Sequence, residues 1–240
     1  MKAYIRQSRK VIDPFDNFVC DCLIGNKTLA TLQRETFLML GIEPLFIATD
    51  QQVSDSSDYI LTDDNVCFTK ELLVEFLARS LQQKKNAICA LKQGITTRRT
   101  MSCIQNVSSA EDFVKYNLRY VPEKKSRSGD CVPIVVDPDQ FCGYIPVPEH
   151  ICDNEKYLIP ITEKFVIQIE HWANLWVANI VTVLAEVARL RKNSKVKLFL
   201  AALKARSLNK WNVLSKANKI GRNCDIHPTA YIEAVLLVQR

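Results

Sequence analysis

Tyr59-Ile-Leu-Thr-Asp63-Asp64-Asn-Val-Cys-Phe-Thr69-Lys70-Glu-Leu-Leu73 is the stretch on which the fold turns. It opens as a short apolar run of strand type and closes on a helix-like run that reaches Gln83, with two adjacent carboxylates between them. The same alternation repeats on either side. Lys2-Ala-Tyr-Ile5 reads as a first strand, and Thr28 to Leu40 as a helix with Leu29, Leu32, Phe37 and Leu40 at helical spacing and Gly41 as its stop. Leu45-Phe-Ile-Ala48 reads as a second strand, Tyr59 to Leu61 as a third, and Asn86 to Leu91 as a fourth. Strands and helices alternating at this spacing predict an α/β domain with a doubly wound, mostly parallel sheet. Ligands of such sheets bind outside the carboxyl ends of the strands, which directs attention to Asp63 and Asp64.

Composition sets the frame. At 240 residues, 48% hydrophobic and 24% charged, the chain can bury one sizeable core and carry appendages. Its nine cysteines follow no secretory leader, since the basic Lys2 to Arg9 start leads into no apolar core, so a reducing cytoplasmic setting is expected. Cys20 and Cys22 form a lone C-x-C without a second pair at zinc-ligand spacing, and read as alternating residues of a strand.

Two carboxylates at a strand end can hold a hard divalent cation such as Mg²⁺ and bridge it to phosphates. The same residues also make a plain turn, with Thr69 capping the next helix. Further on, Val132 to Val136 reads as a strand ending in Asp137-Pro-Asp139, where Asp137 or Asp139 would supply another metal ligand or close an Asp-Pro turn.

The first strand, the Gly25-Asn-Lys-Thr-Leu29 helix opening, the second strand and Asp63-Asp64 ahead of a Phe-Thr-x-Glu-Leu-Leu helix together resemble the N-terminal half of sugar-1-phosphate nucleotidyltransferases. The resemblance implies transfer of a nucleotidyl group from a nucleoside triphosphate to a sugar or polyol phosphate. It implies Mg²⁺ as cofactor on Asp63 and Asp64. Where that family has a glycine-rich phosphate loop ending in Thr-Arg, this chain has Arg6-Gln-Ser-Arg9 with no glycine. Arg6, Ser8 and Arg9 would then offer side-chain forks and a hydroxyl to phosphate, with Arg6 and Arg9 neutralising the transition state. Of the family's phosphate-contacting lysines only Lys27 is nearby. Loss of both loop and lysine also suits a degenerate domain that keeps the fold as a binding or assembly module.

The C-terminal residues carry a second pattern. Ile220, Ile226, Ile232 and Val238 recur every six positions, with small Cys224 and Ala230 four residues after the first two. This resembles the hexapeptide repeat of left-handed parallel β-helices, in the order seen in N-acetylglucosamine-1-phosphate uridylyltransferases. One coil cannot bury its own faces, so either the chain is a truncated version of a longer protein or the terminal turn caps something else. A hexapeptide-repeat acyltransferase is the alternative, its chemistry in the absent coils and His227 a cap of the first coil; oligomers would form through the full β-helix.

Between the two patterns, residues 105–160 read as a less regular substrate-side segment. Thr162 to Leu190 reads as one apolar helix with Phe165, Ile169, Trp172, Trp176, Ile180, Leu184 and Val187 on one face, and His171 as a packing residue. From Arg189 to Arg222 come eleven Lys or Arg and no acid, so the net charge of +6 is concentrated there. That run reads as a solvated helical face, as a surface for anionic lipid heads peripheral to a membrane, or as a nucleic-acid patch. Sparse aromatics, Phe199 and Trp211, argue against the last. The expected division is residues 1–160 as the α/β domain, 161–218 as a helical basic linker and 219–240 as the first coil.

Overall fold

The computed structural model describes residues 1–53, 57–100, 107–123, 130–138, 141–146 and 156–205. The hexapeptide turns of 219–240, residues 206–222 of the basic run and Asp139 lie outside the described residues. The chain divides into two compact units, Met1–Ala185 and Glu186–Arg240. The described part of the second is the end of a helix, where Arg189 pairs with Glu186 one turn away. No helix among the described residues is long and apolar enough to cross a membrane.

The first unit is a mixed α/β fold around a central, mostly parallel sheet. Its strands of three or more described residues are β1 (Lys2–Arg6), β2 (Glu43–Ile47), β3 (Tyr59–Asp63), β4 (Val66–Phe68), β5 (Ala87–Lys92), β6 (Phe113–Val121), β7 (Val132–Val136), the hairpin β8 (Phe141–Pro146) and β9 (Lys156–Ile161), and β10 (Val166–Gln168). The helices are α1 (Leu29–Leu38), α2 (Lys70–Gln83), α3 (Ile95–Thr100) and α4 (Trp172–Ala205). The central sheet runs β7-β5-β6-β3-β1-β2. β1 is parallel to both β2 and β3, and β7 is parallel to β5. Only β6 runs against its neighbours on both sides.

Local signals explain the elements. Thr28 caps α1, its hydroxyl accepting from Thr31 N at 3.2 Å, and Leu29, Gln33 and Phe37 form the buried face. Gly41, at φ 68°, closes α1 in the left-handed region and lets Ile42 N reach Phe37 O at 3.1 Å. α2 buries Leu72, Leu73, Phe76 and Leu77 against Ile5, Ile60 and Val114, and full burial of one such side chain contributes about 1.5–3 kcal/mol.

Three expectations are corrected. The helix read over Thr162 to Leu190 starts at Trp172, because Val166–Gln168 pair antiparallel with β4. Thr69 begins α2 without a side-chain cap; its hydroxyl instead accepts from Phe165 N at 3.2 Å and holds β10 against the turn. Cys20 and Cys22 do not alternate on a strand, for Val19–Asp21 is a 3-10 turn and the Cys22 thiol reaches back to Phe18 O at 3.5 Å. The segment read as irregular contains β6, whose alternating Val114, Tyr116, Leu118 and Tyr120 are buried in the sheet's core.

Candidate functional site

The chain passes from β1 through α1 to β2 on one side, then crosses to β3 on the other, so the strand order reverses at β1 and β3. A crevice outside the carboxyl ends of strands at such a reversal is where open α/β sheets place ligands. The ends here are Arg6 and Asp63, which face each other in register.

Arg6 Nε donates to Asp63 Oδ1 at 2.7 Å, and Arg6 Nη1 lies 3.4 Å from Asp50 Oδ2 in the turn after β2. The bond to Asp63 raises the guanidinium above its ordinary value, burial opposing and the charges of Asp63 and Asp50 assisting, so it stays charged. Its side chain is 37% exposed and can meet a ligand. One residue on, the Asp64 carboxylate accepts from Ser8 N at 3.0 Å and from Ser8 Oγ at 2.6 Å. Asp64 N donates to Arg6 O at 2.9 Å, and the residue is only 2% exposed. The segment after β1 is thus latched onto the segment after β3.

Residues that the sequence reading passed over complete the site. Asn117 Nδ2 donates to Asp63 Oδ2. It sits where the β6 register shifts between Lys115 and Arg119, and bulges re-aim side chains in this way beside functional sites. Gln33, buried on α1, donates through Nε2 to Asp63 O at 2.8 Å and Val66 O at 2.7 Å, spanning the Asp63–Val66 turn. Glu170 pairs with Lys10 at the loop's far end and accepts from Asn65 Nδ2 at 2.9 Å. A buried glutamine at helical spacing beside Phe37 was the one signal in the sequence for Gln33. Asn117 had none, because the bulge that aims it arises from pairing.

Of the residues expected to act together, Arg6, Ser8, Asp63 and Asp64 are brought together. Arg9 follows in the loop, exposed and at φ 52°, the left-handed region that favours glycine. Lys27 is engaged elsewhere, its Nζ 2.6 Å from Glu35 Oε2. Asp137 pairs with Lys92 at 2.9 Å beyond β7, three strand positions from β3, or about 14 Å at ordinary strand spacing. It therefore does not join Asp63 and Asp64. His171 lies at the start of α4, its Nδ1 accepting from Ala173 N at 3.2 Å, a capping arrangement.

The donor set does not fit a divalent cation as it stands. All four oxygens of Asp63 and Asp64 accept hydrogens from the protein: Arg6, Asn117 and the two donors of Ser8. Among the described residues no group of three or more His, Cys, Asp or Glu is placed to hold a metal ion. A cation that took the place of these donors would forgo charge-assisted hydrogen bonds worth about 1.5–3 kcal/mol each.

No protein-family model matches the chain, and no curated protein matches it. Among solved structures, it is similar to the inositol-1-phosphate CTP transferase from T. maritima, with a TM-score of 0.44 and 8% identity over 78% of this chain and 97% of that one. It is similar also to HddC from Yersinia pseudotuberculosis complexed with GMP-PN, with a TM-score of 0.42 and 11% identity over 75% of this chain and 99% of that one.

Proposed function

We propose that Met1–Ala185 is a sugar-phosphate nucleotidyltransferase-like domain that binds a nucleoside triphosphate and a sugar or polyol phosphate outside the ends of β1 and β3. The observation that supports this reading is the convergence of Arg6, Ser8, Asp63 and Asp64 at the point where the strand order reverses. In the reaction, an oxygen of the sugar phosphate attacks the α-phosphorus and pyrophosphate leaves. Positioning and charge neutralisation are what a protein contributes to such a displacement. Arg6, charged and partly exposed, serves that role, with Arg9 beside it on the loop. Lys27 takes no part.

A thermal-shift titration with each of the four common nucleoside triphosphates, in chelator and in Mg²⁺, tests the reading. Ligand at one hundred times its Kd adds about 2.7 kcal/mol to the folded state, an upward shift of several degrees for a domain of this size. The expected result is a rise with one triphosphate that Arg6→Ala abolishes and Lys27→Ala leaves intact. No rise with any triphosphate in either condition overturns it.

A further inference from the structure

We infer that Arg6 is the resident cation of this site, standing where a divalent metal would otherwise be recruited, and that the protein binds no divalent cation at Asp63 and Asp64. The inference goes beyond the proposed function and does not depend on which anionic ligand the site takes. Asp50 and Asp63 flank the guanidinium at this site, and Asp64 follows Asp63 in the chain. Arg6 touches the two that flank it, through Nε at 2.7 Å and Nη1 at 3.4 Å. Asp64 is held by both donors of Ser8. A guanidinium is planar, permanently charged and geometrically suited to carboxylates, so it neutralises the cluster without demanding the octahedral oxygen shell of Mg²⁺. Its position is fixed by the backbone as well, since Arg6 O accepts from Asp64 N and the end of β1 lies in register with the end of β3.

Removing the guanidinium would reverse this. Asp50 and Asp63 would then lose the positive charge they share, the situation in which another opposite charge is most strongly favoured. A divalent cation supplied in solution is the natural counter-ion, and Asp63 would regain a free oxygen for it.

Mn²⁺ binding followed by electron paramagnetic resonance, with no nucleotide present, tests this directly. The wild-type chain is expected to leave Mn²⁺ free at micromolar concentrations. Arg6→Gln should bind it at least tenfold more tightly, Arg6→Lys should behave as wild type, and adding Asp63→Asn to Arg6→Gln should remove the gain. Ser8→Ala, which keeps the backbone N–H bond to Asp64 and whose folding is checked by circular dichroism, should gain several-fold by freeing an oxygen of Asp64 even if Arg6→Gln does not fold. Micromolar Mn²⁺ binding by wild type that Asp63→Asn removes overturns the inference; so does a failure of the folded variants to gain. Because no nucleotide is used, this outcome is separate from that of the triphosphate titration.

Discussion

Replacing Gln33 by Met keeps the volume and apolar stem of a buried side chain while deleting its amide. Gln33 is 2% exposed, and its Nε2 is shared between Asp63 O at 2.8 Å and Val66 O at 2.7 Å. Leaving a buried acceptor unpaired costs about 1–3 kcal/mol. The Val66 carbonyl lies in the interior and takes the upper part of that range; the Asp63 carbonyl is part-buried and can recover water, which places it at the lower end. The Gln33 carbonyl Oε1 has no hydrogen-bond partner among the described residues, so its removal offsets part of the loss. The net expectation is about 2–4 kcal/mol of destabilisation, or a fall in Tm of about 5–15 °C for a domain of this size. Urea denaturation followed by circular dichroism, with the slope unchanged from wild type, measures it. Stability within about 0.5 kcal/mol of wild type would show that α1 does not hold the Asp63–Val66 turn through this amide, a difference well outside ordinary surface effects.

Arg9→Gly relieves a non-glycine residue at φ 52° while loosening the unfolded chain. With strain of about 1–2 kcal/mol and an entropic cost of about 0.5–1 kcal/mol, the net gain is up to about 1 kcal/mol, and a fall in the midpoint of thermal unfolding would count against it. Asp58 supplies a pH dependence. The Tyr120 hydroxyl, at 2.6 Å, chiefly lowers its pKa, helped by the Glu123 backbone N–H at 2.9 Å. A depressed carboxylate contributes stability that is complete above its unfolded value, near pH 4, and is lost as pH falls through the lower folded value. Tyr120→Phe should therefore flatten stability against pH below about 4, and an unchanged acid limb in urea melts at stepped pH would refute the assignment.

The strand-turn-helix order was legible because local periodicity and punctuation agree with the tertiary structure. Lys70–Gln83 matches the helix read from its apolar spacing, and Gly41 stops α1 where a left-handed residue is required. Arg6, Ser8, Asp63 and Asp64 were legible through their place after parallel strands. Their mutual hydrogen bonds were not, since the sequence shows carboxylates and donors but not which satisfy each other. Lys27 was drawn in by the family resemblance and Asp137 by its place at a strand end, whereas in the fold they pair with Glu35 and Lys92. The start of α4 was misplaced for a related reason. Phe165 and Ile169 fit a helical face as well as they fit a short buried strand, and only β4, a hundred residues earlier, decides between them.

Among the described strands, the antiparallel β6 alone bridges the two parts of the central sheet, β2-β1-β3 on one side and β5-β7 on the other. During synthesis, the inner edges of β3 and β5 therefore emerge before the strand that closes them. At ribosomal rates of about 5–20 residues per second, β3 waits several seconds for Phe113–Val121. Through that interval two apolar edges offer unpaired backbone to any extended segment nearby, including another nascent copy of β6. Exposure of these edges to mispairing is therefore greatest during biosynthesis, while β3 and β5 await β6.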